Sequence, residues 1–474
     1  AGNVCITVSG SGTGLTGARV PLGGWVLATQ NLASVVQVEG LEEVLYRNRE
    51  TGRVYQIFLG EDRKTREPFA VAPAGISIGD LQEALKSRGY MYPPDPTEAT
   101  ALLGATVATN ASGSRTFRFG PTRKWVRRIR LVLPSGEVLD VRRGETFADE
   151  NGEFEIENLA GDTIVVHLPS YRFLKIKNAA GYFAEPGMDL VDLFIGSEGT
   201  LGVVTEVEVR LVPRLGELLS VVAFFPTIAA GLTFSKALRD LSRGKISSDS
   251  KDSVNVLSIE YFDQNSLAFL KRMHPRIPPQ AKSAVFFEQE NEAEAAQQLL
   301  TLMEEHGSMD SWATLSEAER AGFEEFRHSL PQAVNELVRR LGTHKMGTDI
   351  AVPDEALQTM MDFYLRVGTE TLLDRIYEKR GGDADEEPWK HLSVEEKLGQ
   401  LSDIDPTTLP QSVWQRSGVK PQEFSSAVFT DRAEVLRTLA DVTVSYVIFG
   451  HIGDNHLHFN FLAESQKELA RVKK

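Results

Sequence analysis

Three of the nine histidines, His451, His456 and His458, fall within eight residues in the stretch FGHIGDNHLHFNF. Asp454 stands between the first two. Imidazoles this dense beside a carboxylate, on a strand-like segment, point to a divalent metal or to proton transfer near neutral pH. Gly453, Asp454 and Asn455 carry strong turn chemistry, so the segment reads as strand, turn, strand. After the turn, alternation with period two puts His456, His458 and Asn460 on one face and Leu457, Phe459 and Phe461 on the other. The turn can fold His451 back toward the polar face, where two imidazoles could share one zinc-like ion. A hydrogen-bonded polar cluster is the competing reading of the same residues.

A different chemistry is written near the start of the chain. In SGSGTGLTG, residues 9–17, glycines at 10, 12, 14 and 17 alternate with small or hydroxyl residues behind a strand-like run. Glycines let backbone N–H groups converge on an anion, and Ser and Thr add hydroxyl donors. The loop has no lysine, so it is not a P-loop. Two further segments belong with it. Residues 92–123, YPPDPTEATALLGATVATNASGSRTFRFGPTR, join a proline-stiffened turn to a run of small residues between Gly104 and Gly113. Residues 192–213, DLFIGSEGTLGVVTEVEVRLVP, lead from a glycine turn (Gly196, Gly199, Gly202) into a strand.

The elements that must position these residues are short strands and helices in alternation, an α+β pattern. VCITVSG, GWVLAT, PFAVAPAG, IRLVLPSG and TEVEVRLVP read as strands and IGDLQEALKSRG as a helix. Residues 39–67 and 144–175 read as insertions. From residue 214 a second α+β pattern begins: LLSVVAFFP, VNVLSIEYFD, SAVFFEQE and SYVIFGHI as strands, AAGLTFSKALRDLS and EAEAAQQLLTLMEEHG as helices. Residues 369–432 are polar, acidic and proline-punctuated, and read as a solvated, partly helical excursion. The expected domains are therefore 1–213 and 214–474. The chain is 474 residues long, 42% hydrophobic and 25% charged, which is ordinary globular composition. A net charge of −15 argues against nucleic acid or an anionic membrane as partner. No apolar run approaches the ~20 residues of a membrane span. Cys5 stands alone, so no internal disulfide forms, and its alternating apolar surroundings suggest a core thiol. No signal peptide is visible, and a cytoplasmic location is expected, with peripheral association with the inner membrane as the alternative.

Together with KNAAGY at residues 177–182, the three glycine-bearing segments resemble the PCMH-type flavin domain of the vanillyl-alcohol-oxidase family. The resemblance implies that Gly10, Ser11, Gly12, Thr13, Gly14, Leu15, Thr16 and Gly17 wrap the pyrophosphate of FAD. It implies that Pro94, Asp95, Gly104, Ala108, Asn110, Gly113 and Ser114 lie along the cofactor, and that Glu198, Gly199, Gly202 and Val203 are near it. Members that attach FAD covalently through this loop use a histidine there. No histidine precedes His167, so the implied FAD is non-covalent. Ser9 and Ser11 stand where many relatives carry Arg and Gly.

The histidine segment is similar to the H-x-G-D-x-x-x-H element of the D-2-hydroxyacid dehydrogenase branch, which includes glycolate, D-lactate and D-2-hydroxyglutarate dehydrogenases. Asn455 and His456 replace the Gly and Asn of the commoner form. The resemblance implies His451 and His458 as metal ligands and Asn460 as a substrate contact. It also places Arg327, in EFRHSLPQAVNE, and Lys345, in THKMGTDIAVP, on the substrate carboxylate. His456, sharing the face of His458, is the candidate base. Relatives supply a third ligand and a catalytic histidine from a downstream S-x-E-H-G element, expected here beyond Lys474, and both domains are expected to lack a terminal part. The EEHG at residues 304–307 closes an amphipathic helix and is set aside as surface.

The implied activity is oxidation of a D-2-hydroxyacid to the 2-oxoacid, with hydride passing to the flavin and a divalent ion lowering the hydroxyl pKa. Electrons would leave to a quinone, a cytochrome or an electron-transfer flavoprotein. Two rivals share the flavin architecture: a transferase resembling alkylglycerone-phosphate synthase, and a flavin-binding subunit of a larger redox complex.

Overall fold

The computed structural model describes residues 4–14, 16–36, 38–157, 161–171, 176–244, 254–379, 381–401 and 446–473. The chain divides into two compact units, 1–216 and 217–474. Leu15 and the later part of the 369–432 excursion lie outside the described residues. Among the described residues no helix is long and apolar enough to cross a membrane.

The first unit opens with β1 (Ile6–Ser9) and β2 (Trp25–Ala28), a parallel pair joined by the glycine loop. Its main sheet takes β3 (Glu42–Arg47), β4 (Val54–Glu61), β5 (Pro68–Pro73), β7 (Val126–Val132), β8 (Val138–Arg142) and β11 (Val203–Arg210), in the order β3-β4-β5-β11-β7-β8. Two short pairs complete it: β6 (Tyr90–Met91) with β12 (Val212–Pro213), and β9 (Glu153–Glu157) with β10 (Thr163–His167). Helix α1 (Ile78–Lys86), capped by Ser77, and α2 (Leu103–Ala108) pack Ile78, Leu81, Leu85, Leu103 and Val107 into one core with Ile57, Leu59, Ile129 and Val207.

Residues 39–67, read as an insertion, form the edge of the main sheet, where alternation along β4 sends Tyr55, Ile57 and Leu59 into the core. Residues 153–157 likewise bury Phe154 and Ile156. Cys5 is exposed rather than a core thiol. The β1–β2 pair joins no larger sheet among the described residues, and every residue of β2 is exposed.

The second unit is built on an eight-stranded antiparallel sheet. Its strands are β13 (Leu218–Phe225), β14 (Val256–Asp263), β15 (Ser283–Glu290), β16 (Asp310–Thr314), β17 (Lys345–Gly347), β18 (Ile350–Ala351), β19 (Tyr446–His451) and β20 (His456–Leu462). The order is β16-β13-β15-β14-β19-β20-β17, with β18 also paired to β20. Strands β14 and β15 are buried almost throughout, as strands covered on both faces must be. Helix α3 (Ile228–Gly244) packs on one face through Phe234, against Phe225 and Phe287, and α5 (Ala293–Glu305) packs against α3. Helix α6 (Glu317–Leu341) lays Phe326, Leu330, Val334 and Val338 on the other, against Val222, Phe262, Phe286 and Val447. Helix α4 (Gln264–Leu270) follows β14 directly.

Helix α7 (Leu357–Lys379) and α8 (Gln466–Val472) anchor the end of β20. Arg375 is buried and donates to Glu468 at 3.0 Å and to the Leu462 carbonyl at 2.9 Å. The start of the expected excursion is the end of α7, and it is not simply solvated. Trp389 is buried, stacks on Tyr377 at 3.9 Å and donates to Asp374.

Asp263 caps α4, accepting from the Ser266 amide at 2.8 Å and its hydroxyl at 2.6 Å. Burial raises its pKa to about 6 despite those bonds. A carboxyl raised in the folded state favours folding below its unfolded pKa, and that advantage is lost as pH climbs through the folded value. The parent should therefore lose stability between about pH 4 and pH 6 relative to Asp263→Asn, by up to about 3 kcal/mol. Denaturant midpoints of both proteins at pH 4 and pH 7 measure the change, and a constant difference contradicts it.

Candidate flavin cradle and histidine centre

In the first unit the three glycine-bearing segments come together. A Cβ on Gly10 would lie 2.8 Å from the Cβ of Ala105, so only a glycine lets the loop rest on α2. A Cβ on Gly199 would meet Val8 of β1 at 3.1 Å. The second and third segments are bonded directly: the amides of Gly196 and Glu198 donate to the Val107 and Ala108 carbonyls at 3.0 and 2.7 Å. Gly104 abuts Ala74, Gly113 the Asp95 carbonyl and Gly202 Leu131, while Val203 opens β11. Asp95 faces Arg115 at 3.7 Å, Pro94 is buried, and Asn110 accepts from the Arg123 amide at 3.0 Å.

Two observations fit this cradle to an anionic, polar cofactor. Among the described residues the amides of Ser11, Gly12 and Thr13 donate to no backbone acceptor, which leaves them available to a phosphate. The buried Ser114 hydroxyl also has no partner there, and an orphaned buried donor is costly unless a ligand satisfies it. Sequence reasoning missed Arg19. Its guanidinium lies against Gly12, where a Cβ would fall 2.2 Å from it, and it supplies a cation that Ser9 and Ser11 do not. Thr16, Gly17 and Gly14 are partly or fully exposed in the same loop.

In the second unit the histidines are set by register. On the antiparallel pair β19–β20, His451 stands opposite His456, Phe449 opposite His458 and Val447 opposite Asn460. Directly opposed residues share a face, so all three imidazoles lie together. Their ring centroids are 4.6 Å apart for His456–His458, 5.9 Å for His451–His456 and 6.0 Å for His451–His458. Lys345 pairs with Leu462 and Gly347 with Asn460, which puts Lys345 on that face too.

One step beyond the Tyr261–Gly450 pair, β14 presents Glu260 to His451, whose Nδ1 lies 2.9 Å from the carboxylate. Burial opposes the charge on Glu260, but His451, Arg327 on α6 and His458 hold its pKa down at about 2. Arg327 is thus part of the field of this centre. Burial, reinforced by the other two imidazoles, pushes His458 down to about 4, and burial also lowers Lys345. Asn460 is buried, with Nδ2 unpartnered among the described residues.

The donor atoms that converge most closely are not the expected pair. Those of Asp349, His456 and His458 all lie within 4.8 Å of one another. Asp349 Oδ1 is 2.5 Å from His456 Nε2 and 3.6 Å from His458 Nδ1. Two imidazoles and a carboxylate form a donor set that zinc-like ions take. A ligating histidine commonly donates its other ring N–H to a carboxylate, and His451 stands so toward Glu260 through Nδ1, which leaves Nε2 for an ion. Asp349 sits four residues after Lys345 in a stretch already singled out, and Glu260 is a carboxylate within a largely apolar strand. Either could have been suspected on that ground. His306 of the EEHG stretch bonds the Leu302 carbonyl at the end of α5.

The turn between the strands is clamped from α3. Asn455 is left-handed at φ 51°, its side-chain oxygen accepts from the buried Arg239, and its nitrogen donates to Asp354. Arg243 bonds Asp354 at 3.2 Å and the Gly453 carbonyl at 3.3 Å.

Both units match known sequence families. Residues 1–142 match the sequence model of the FAD binding domain, and residues 221–367 and 426–474 match that of the FAD linked oxidases, C-terminal domain. The chain belongs to the FAD-linked oxidases. It is 30% identical over 218 residues to a D-lactate dehydrogenase of Anaerostipes hadrus, covering 46% of this chain and 33% of that protein. It is 26% identical over 297 residues to glycolate oxidase subunit GlcD of Bacillus subtilis, covering 62% and 48%. A D-2-hydroxyglutarate dehydrogenase of Stutzerimonas stutzeri matches at 26% over 266 residues, covering 56% and 42%. The chain thus spans a third to a half of the length of these curated relatives. A solved alkyldihydroxyacetonephosphate synthase superposes with a TM-score of 0.50 at 18% identity, over 80% of this chain and 60% of that one, a likeness of fold alone.

Replacing Asn455 by glycine isolates the clamp. Glycine relaxes the left-handed backbone but strips the buried Arg239 of its side-chain acceptor. Asn455→Gly is expected to lose about 1–2 kcal/mol net, read as a lower denaturant midpoint at unchanged slope. An unchanged or higher midpoint contradicts the clamp.

Proposed function

We propose that this chain is the flavin and substrate portion of an FAD-dependent dehydrogenase that oxidises a D-2-hydroxyacid to the 2-oxoacid. The observation that carries the reading is the meeting of three imidazoles, Lys345 and Glu260 on one sheet face, with the charge of Arg327 acting on Glu260. Its chemistry suits a substrate with a carboxylate beside a hydroxyl. Lys345, half-buried and on the histidine face, supplies a point charge for the carboxylate, and Arg327 adds a planar fork. Asn460, buried with an unused amide donor, orients the same group. His451 and His458 would hold a divalent ion, and His456 would accept the hydroxyl proton. Bound FAD would supply the hydride acceptor, and a bound ion the Lewis acid that lowers the hydroxyl pKa.

Gly10 to Gly14, Arg19 and Ser114 hold the flavin by neutral donors and one cation. Attachment is non-covalent through this loop, which has no histidine. Electrons leave to a quinone, a cytochrome or an electron-transfer flavoprotein. Lactate, glycolate and 2-hydroxyglutarate are the first substrates to try, because the relatives' names include all three.

The test is anaerobic mixing of the FAD-loaded protein with D- and L-forms of a 2-hydroxyacid panel, before and after chelation. Bleaching of the visible flavin band by at least one D-hydroxyacid is expected, slowed about ten-fold or more once the ion is removed. Flavin that no D-hydroxyacid bleaches sinks the reading, and bleaching indifferent to chelator removes the ion from it.

A further inference from the structure

A cavity of about 420 Å3 opens beside the main sheet of the first unit, lined by Pro121, Arg123, Lys124, Arg143, Asp192 and Arg210. We propose that it binds a phosphate-bearing anion of small-metabolite size, at a site separate from the flavin cradle.

The charges of the wall do not balance. Four cations line it against one carboxylate. Asp192 is already committed to two of them, taking both donors of Arg143 at 2.9 Å and Arg123 at 3.1 Å. Lys124, exposed, and Arg210, half-buried, form no ion pair among the described residues. Elsewhere on this sheet the cations are matched: Arg127 meets Asp62 and Glu208, Arg128 meets Asp140, and Arg142 meets Glu208. The next carboxylates, Asp189 and Glu185, do not line the cavity, and Asp189 accepts from the amides of Gly144 and Val191. The surplus is therefore local, in a chain of net charge −15.

Arg123 is also partly desolvated. Its side chain is 18% exposed, its guanidinium lies 4.2 Å over the Phe183 ring, and burial pulls its pKa down. A second anion beside it would offset that desolvation. The cations come from three parts of the chain: Arg123 and Lys124 from the turn before β7, Arg143 after β8 and Arg210 from the end of β11. Donors converging from several directions suit a tetrahedral, multiply charged phosphate better than a planar carboxylate, which one arginine fork can satisfy. The volume is that of a small-ligand site and leaves room for the rest of a phosphorylated metabolite. The third flavin segment enters β11 at Val203, and Arg210 closes the strand about 23 Å away at the rise of an extended chain.

The experiment is titration of the FAD-loaded full chain with inorganic phosphate and with pyrophosphate, read by calorimetry at an ionic strength held constant with chloride. Saturable binding of one pyrophosphate per chain is expected, with the flavin retained. Lys124→Gln and Arg210→Gln, which break no ion pair within the described residues, should each weaken it by about ten-fold, and Lys124→Arg should stay within about three-fold of the parent. Lys86→Gln, exposed on α1 and outside the cavity, should leave it unchanged. Pyrophosphate that binds no better than chloride overturns the site. So does binding that ignores both Lys124→Gln and Arg210→Gln, or that Lys86→Gln weakens equally. Release of flavin by pyrophosphate would put the anion in the cradle and likewise overturn a separate site.

Discussion

The register of β19 against β20 is the constraint on which the second unit's chemistry depends. A slip of one residue would send every imidazole to the opposite, apolar face. The register is held at both ends by buried arginines. At the turn, Arg239 grips Asn455 while Asp354 grips Asn455 and Arg243. At the far end, Arg375 ties the Leu462 carbonyl to Glu468. Between them the strands are packed through apolar neighbours, with Tyr364 and Tyr446 stacked on Phe459. A polar cluster can persist in this sheet because its surroundings leave it only one arrangement.

Electrostatics complete that arrangement. Glu260 lies in a strand whose every residue is buried, and an isolated carboxylate there would be neutral or absent. His451, Arg327 and His458 keep it charged. The same burial keeps His458 uncharged near neutral pH, with a lone pair to offer. The first unit works by the opposite means. Its loop offers backbone donors and close approach, and Arg19 is the cation at the loop.

Much of this was legible in the sequence because it is local. The alternation in HLHFNF, the turn residues before it and the helical spacing of Ile78, Leu81 and Leu85 each depend on neighbours in the chain, and each appears as read. The small residues of the three flavin segments mark where backbones must touch, and Gly10 and Gly199 do touch Ala105 and Val8. What escaped is non-local. Glu260 meets His451 across 191 residues and Arg239 meets Asn455 across 216, through a strand order that no local pattern encodes. Residues 39–67 read as charged and turn-rich because Glu42, Glu43 and Arg47 of β3 are exposed, and the alternation that buries Tyr55, Ile57 and Leu59 is confined to β4. Cys5 misled because an alternating run says nothing about whether a sheet is covered.

The central claim is that the histidine centre serves removal of hydride from the carbon bearing a substrate hydroxyl. Rapid mixing of the FAD-loaded protein with a D-2-hydroxyacid deuterated at that carbon tests it most directly, against the same acid carrying hydrogen. Flavin reduction slowed several-fold by deuterium is the predicted result. Equal rates for the two acids, or a flavin that neither reduces, would contradict the account.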